Sequence, residues 1–210
     1  MTISIIGAGN VGMALATAFA QHEQKVLLGL RDPARPPVIS AALAPMIKVH
    51  NISDAIAASE VVILATPYAA TANIVQSISD WQNKIVVDAT NPIGYDPEGF
   101  YLLVGTQTSG AEEISKLAKG ARVVKAFNST GYENMQNSRY SGGLALMPVC
   151  SDDAAARAKV IGLASLIGFE ALDVGELSAA RYLEPYAMLW IHMAMKQGMG
   201  RQFAFALLQR

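Results

Sequence analysis

Short apolar strands alternating with helices predict an α/β protein with a doubly wound, mostly parallel sheet and a short C-terminal helical extension. Three observations carry this expectation. The segments TISII, KVLLGLR, VVILATP and KIVVDATNP are apolar almost throughout, as strands are when both faces of a sheet are covered. The stretches between them read as helices, beginning with Val11, Leu15 and Phe19 at a spacing of four. No repeat, low-complexity segment or clean linker divides the chain. Residues 1–176 are therefore expected to form one domain, and residues 177–210 a helical extension.

The first element is a β-branched run, Thr2 to Ile6, which suits a buried strand. GAGNVG, Gly7 to Gly12, follows where the pattern switches to a helix. A strand, G-x-G-x-x-G and then a helix is the context the Rossmann dinucleotide fingerprint requires. Gly7 permits the tight turn off the strand, Gly9 lets a pyrophosphate approach the backbone, and Gly12 lets helix and strand pack closely. Free N–H groups at the helix start, with the positive end of its dipole, suit phosphate. The run resembles a signal peptide only in being N-terminal and apolar, since no Lys or Arg precedes it and glycines interrupt it.

The remaining elements follow in order. Lys25 to Arg31 reads as the second strand, after which RDPARPP breaks regular structure with three prolines. MIKVH is a weak third strand and DAIAASE a short helix. Val61 to Pro67 is a strand stopped by proline, and residues 69–78 form a helix. Lys84 to Pro92 is a strand ending in a turn. GYDPEGFYLLVGTQTSG reads as a surface loop from its Gly, Thr and Ser content. AEEISKLAKG is a polar-faced helix with a glycine stop. RVVKAFN is a strand, LALMPVC another, DDAAARAKVIGLASLIG a helix, and FEALDVG the last strand. From Leu177 onward the chain reads as helical.

Composition excludes several classes. Sixteen Lys and Arg against 17 Asp and Glu give no basic footprint for nucleic acid. The single Cys150 allows no internal disulfide and fits a reducing compartment, and its ordinary reading is a small apolar residue at a strand end. His22, His50 and His192 are far apart in sequence, so no metal site is expected. The apolar run YAMLWIHMAM is too short to span a bilayer, and with no targeting segment visible the expected location is cytoplasmic.

In a Rossmann half, a carboxylate at the end of strand two usually bonds the ribose 2′-OH. Here that position is Leu30, followed by Arg31. A missing carboxylate and an added guanidinium favour a 2′-phosphate, hence NADP(H) over NAD. The alternative leaves Arg31 in solvent and gives the ribose to Asp32. Ligands in such sheets lie beyond the carboxyl ends of the strands, where the chain reads ATP (Ala65 to Pro67), ATNP (Ala89 to Pro92) and KAFNS (Lys125 to Ser129). These small and amide or hydroxyl residues leave room for a ribose or a nicotinamide, although Thr, Asn and Pro belong in turns anyway. No nucleophile or acid–base pair stands out. Lys125 is a candidate general acid or a partner of Asp88 or Asp96, and His192 a second candidate or a core residue. The lack of a proton relay suits direct hydride transfer between two redox carriers, which need alignment above all.

GAGNVG, the GLR strand end, LATP, VVDATNP, RVVKAFN, DVGELSAARYLEP and LWIHMAM together resemble the NADP oxidoreductases that depend on the deazaflavin coenzyme F420, over nearly the whole chain. The resemblance implies a small Rossmann protein, often dimeric, that moves hydride between NADP(H) and a planar carrier such as coenzyme F420 or a flavin. The cytoplasmic domain of membrane metalloreductases is similar, and no membrane part is expected here. By matched position, Gly7, Ala8, Gly9, Asn10, Val11 and Gly12 would hold the pyrophosphate and Arg31 the 2′-phosphate. Thr66, Pro67, Asn91 and Pro92 would line the nicotinamide riboside, with Ala126 and Asn128 beside it. Leu30 departs from the pattern, which often has Ser or Thr there as a second phosphate partner.

Leu183, Tyr186, Ala187, Trp190, Ile191, Ala194 and Met195 make the late helix apolar on nearly every face, so burial by the sheet and by a second subunit of a homodimer is expected. Tyr182, Tyr186 and Trp190 are core residues or the wall of a flat cofactor. A non-catalytic NADP(H)-binding sensor is the competing function. An imine or β-hydroxyacid reductase is a third, and it usually needs a large helical domain with a catalytic lysine.

Overall fold

The computed structural model describes all 210 residues. β1 (Ile3–Ile6) leads into α1 (Asn10–Gln21), then β2 (Val26–Leu30), β3 (Ile47–Asn51), α2 (Ile52–Ala57), β4 (Val61–Leu64), α3 (Tyr68–Gln76) and β5 (Ile85–Asp88). A hairpin of β6 (Ile93–Asp96) and β7 (Gly99–Leu102) precedes α4 (Gly110–Leu117), β8 (Arg122–Lys125) and α5 (Glu133–Gln136). A two-residue hairpin, β9 (Arg139–Tyr140) with β10 (Gly143–Leu144), then β11 (Leu146–Val149), α6 (Ala154–Leu166), β12 (Glu170–Asp173) and α7 (Ala180–Met195) complete the chain.

Six strands form the main sheet in the order β3-β2-β1-β4-β5-β8, every pairing parallel. The strand order reverses direction of growth at β1, between β2 and β4, and this is where ligands enter such sheets. β1 and β4 are buried at every position because helices cover both faces. One core layer includes Ile3, Ile5, Leu15, Phe19 and Phe127, with the Phe19 and Phe127 rings edge to face at 6.3 Å. The other, on the opposite side, includes Ile6, Val62, Leu64, Trp81 and Leu183. Each fully buried aliphatic side chain contributes about 1.5–3 kcal/mol of hydrophobic stabilisation.

Three expectations need correction. The expected loop after β5 holds an antiparallel hairpin, closed where Asp96 accepts from the amides of Glu98 and Gly99 at 2.9 and 3.0 Å. That carboxylate fixes the turn, and the hairpin lies against α7. β11 and β12 do not extend the main sheet as parallel strands. They pair with each other and touch β8 through one antiparallel bridge, Lys125 to Cys150. Pro148 in β11 has no amide hydrogen to offer a second neighbour. Finally, the helix from Leu177 ends at Met195. Gly198 and Gly200 have φ of +69°, a conformation that a helix cannot continue, and residues 196–210 carry no regular structure.

Candidate functional site

The sequence–structure match is closest at the glycine loop. Gly7 has φ +105°, and a Cβ there would stand 2.7 Å from the Ala65 carbonyl oxygen. A Cβ on Gly12 would stand 2.0 Å from the Gly7 carbonyl oxygen, so Gly12 is what lets α1 close onto the turn. A Cβ on Gly9 would meet nothing within 4 Å. Gly9 therefore faces open space, and no side chain caps the helix it precedes. The amides at the α1 start are left for an anion.

Two cavity lobes meet at Thr66 and Pro67, at the end of β4. The inner lobe, about 550 Å³, is lined by Gly7, Ala8, Gly29, Leu30, Arg31, Ile52, Thr66, Pro67, Ala70, Asn73 and Ile74. The outer lobe, about 560 Å³, is lined by Gly9, Asn10, Val11, Ala65, Thr66, Pro67, Tyr132 and Arg201. Gly29 is needed where it is: a Cβ there would stand 2.6 Å from Ile6 Cδ1 and 3.2 Å from Ala55 Cβ. Arg31 lines the inner lobe. Asp32 instead pairs with Arg35 at 3.4 Å in solvent and lines neither lobe. Leu30 adds apolar wall where a hydroxyl was the expected partner.

The other expected residues are placed differently. Asn91 and Asn128 form a reciprocal pair: Asn128 Nδ2 donates to Asn91 Oδ1 at 3.0 Å, and Asn91 Nδ2 donates to the Asn128 carbonyl at 2.9 Å. Asn128 Nδ2 also donates to the Leu183 carbonyl of α7, which leaves its buried Oδ1 without a partner. Pro92 and Ala126 are buried, and none of these four lines the two lobes. Gly12 is likewise buried beneath the loop.

Lys125 is sealed from solvent, and its Nζ lies 2.8 Å from Asp88 Oδ2, 3.0 Å from Glu184 Oε1 and 2.7 Å from the Thr90 carbonyl. Burial opposes its charge, but the two carboxylates outweigh burial and hold the ammonium above the usual lysine range. It is a strut, and Asp96 takes no part. His192 is exposed on α7 beside Gln197, contrary to a core role. Cys150 is buried, and burial pushes its thiol up to about 12, so it is inert at neutral pH.

Tyr182 is 77% exposed, whereas Tyr186 and Trp190 pack on the chain's own tail. Trp190 stacks on Phe203 at 5.0 Å and Tyr186 on Phe205 at 4.8 Å. The tail thus covers part of the helix surface expected to need a second subunit. It also delivers Arg201, which sequence reasoning missed. The available signal was GMGR, a glycine pair that stops the helix one residue before an arginine.

The residues of the lobes fit a dinucleotide: a bare backbone turn at Gly9, an uncapped helix start and a cation, Arg31, lining the inner lobe. No carboxylate, lysine or histidine lines either lobe. No helix is long and apolar enough to cross a membrane.

Comparison with known proteins agrees with this geometry. The family profile of NADP oxidoreductases, coenzyme F420-dependent, matches residues 2–92. A crystal structure from Arthrobacter sp. FB24, described as a candidate F420-dependent NADP-reductase, is 30% identical, covers 100% of both chains and has a TM-score of 0.84. The F420-dependent NADP reductase of Methanothermobacter thermautotrophicus is 28% identical over 210 aligned residues, covering 93% of this chain and 90% of that protein. Metalloreductase STEAP3 of Rattus norvegicus is 28% identical over 182 residues, 87% of this chain. The chain spans only 35% of that metalloreductase's length.

Proposed function

The chain belongs to the coenzyme F420-dependent NADP oxidoreductases, and from that membership we propose that it transfers hydride directly between NADPH and a planar carrier, the deazaflavin coenzyme F420 or a flavin. The observation that supports this most is that the two lobes share Thr66 and Pro67, with Arg31 lining one and the open Gly9 turn lining the other. In this reading the α1 amides hold the pyrophosphate, Arg31 holds the 2′-phosphate, and Thr66 and Pro67 wall the nicotinamide riboside. Asn91, Pro92, Ala126 and Asn128 support that wall from the strand ends behind it. When bound, NADPH supplies the hydride from its nicotinamide ring. The protein aligns two rings and contributes no proton relay from a carboxylate, lysine or histidine in the lobes.

The same reading proposes a homodimer. The hairpin and α7 together expose Tyr95, Phe100, Tyr101, Tyr182 and Leu189, an apolar face on the extension of residues 177–210 and its neighbour. Gel filtration at micromolar concentration tests it, and a monomer there would rule it out. A cytoplasmic setting goes with the buried free thiol of Cys150.

The decisive experiment is NADPH oxidation, with NADH as control, against coenzyme F420, FMN and FAD in parallel. NADPH-specific reduction of one of them supports the reading and names the carrier. Tight NADPH binding with no turnover on any carrier would leave the cofactor site standing and make the protein a sensor.

A further inference from the structure

Arg201 stands in the outer lobe, on a tail without regular structure, and is held there with unusual care. Glu133 accepts from its Nε at 2.5 Å and its Nη2 at 3.2 Å. The guanidinium carbon lies 5.0 Å from the centre of the Tyr132 ring and 5.3 Å from that of Trp190. These contacts fix the plane of the fork. The burial of Glu133 raises its carboxyl's pKa, but the hydrogen bonds from Arg201 and from its own backbone outweigh this and keep it below the ordinary carboxylate range, so the pair is ionised at neutral pH. Nη1 bonds to no protein atom, and the side chain remains 38% exposed in the lobe that also contains Gly9, Asn10 and Val11.

We propose that Arg201 is an anion-recognition residue. Its free donor takes a phosphate oxygen in the outer lobe, so the C-terminal tail completes a phosphate site begun by the amides of α1. This rests on the reading of the lobes as a dinucleotide site. The preorganised fork suits the role, because a guanidinium already oriented by a carboxylate and two rings loses little freedom when it binds. Two sources share this chemistry: the pyrophosphate of the cofactor, or the phosphate of an acceptor such as FMN.

The test uses the full chain with Arg201→Gln, which keeps a donor of similar reach but no charge, and Arg201→Lys, which keeps the charge. NADPH and NADH are titrated by fluorescence, 2′-AMP, which has the 2′-phosphate but no 5′-phosphate, is titrated by calorimetry, and kcat/KM is measured for FMN and for riboflavin. If the cofactor pyrophosphate is the ligand, Arg201→Gln weakens NADPH and NADH alike, by about tenfold. It leaves 2′-AMP unchanged, and Arg201→Lys recovers much of the loss. If the acceptor's phosphate is the ligand, cofactor affinity holds and kcat/KM falls for FMN but not for riboflavin. Wild-type values for every ligand and an unchanged FMN-to-riboflavin ratio would overturn the proposal. So would equal damage by both variants to all ligands, 2′-AMP included, since that marks tail packing alone. A wild-type chain that binds neither NADPH nor NADH would overturn the dinucleotide reading itself.

Discussion

Lys125 and Glu184 meet at the junction between the sheet and α7, Nζ to Oε1 at 3.0 Å, with both side chains sealed from water. Glu184 also accepts from the amides of Gly110 and Ala111, at 2.9 and 3.2 Å, where α4 begins. One carboxylate therefore ties β8, α4 and α7 together. Lys125→Met leaves Asp88 and Glu184 as buried carboxylates without their cation, at an expected cost of about 3–5 kcal/mol. Urea unfolding measures it, and a loss under about 1 kcal/mol would show that the three charges are not coupled. Because the lysine's pKa is raised on folding, its contribution is complete below the ordinary lysine value, about pH 10, and disappears as pH rises through the folded-state value. The penalty of the variant should therefore shrink in strong alkali.

Arg31 should set cofactor choice. Arg31→Ala is expected to weaken NADPH by about 1.5–3 kcal/mol while leaving NADH nearly unchanged, because only NADPH carries the 2′-phosphate. Fluorescence titration of both cofactors separates the cases, and equal losses for both would refute this role. Leu30 offers no second phosphate partner, so the measured preference rests on Arg31.

The glycines of the loop should fail in different ways. Gly12→Ala puts a methyl group 2.0 Å from the Gly7 carbonyl oxygen, so the helix must shift, at about 1–3 kcal/mol of stability. Gly9→Ala meets no protein atom, so the melting temperature should hold while NADPH affinity falls. Thermal unfolding and NADPH titration on the two variants give opposite patterns if Gly9 faces the phosphates. Intact NADPH binding by Gly9→Ala would place the dinucleotide elsewhere.

Glu112 should shape the acid limb of stability. Its carboxyl lies below the usual range chiefly through Arg181, which donates from Nε at 2.9 Å and Nη2 at 2.6 Å, with Ser109 helping and burial opposing. A depressed carboxyl pKa stabilises above the unfolded value of about 4.3 and ceases to do so as pH falls through the folded value. Glu112→Gln should therefore differ from wild type most at neutral pH and converge with it in acid. Urea midpoints at two pH values measure this, and a gap independent of pH would exclude the mechanism.

The parts of the molecule legible in the sequence are those governed by local pattern. β1, the glycine turn and α1 follow from apolar runs broken by glycines, and Arg31 follows from its place at the end of β2. What was not legible depends on distant partners. The glycines that argue for a loop include Gly94 and Gly99, which sit in a hairpin that lies against α7. Lys125 offered Asp88 and Asp96 as neighbours in sequence pattern, but Glu184 arrives from another element. Asn91 and Asn128 lie at strand ends as expected, yet their amide groups bond to each other across the strand ends and leave only the Asn128 Oδ1 unpaired. Arg201 enters the cavity because aromatic side chains dock a tail that has no periodicity of its own.

That tail can also let go. Its attachment consists of two ring stacks, the Arg201–Glu133 pair and a few hydrogen bonds: Phe203's carbonyl accepts from Trp190 Nε1 and Asn134 Nδ2, and Phe205's accepts from the Leu146 amide. None of these is part of the sheet's own ladder, so the segment can open as a unit while the sheet stays folded, and at a fraction of the global unfolding free energy. The Leu146 amide becomes a built-in reporter, since its deuterium uptake is gated by that opening. If Arg201 grips a bound phosphate, ligand release and tail opening share one free-energy cycle, and an irregular C-terminus sets the residence time of whichever ligand carries it.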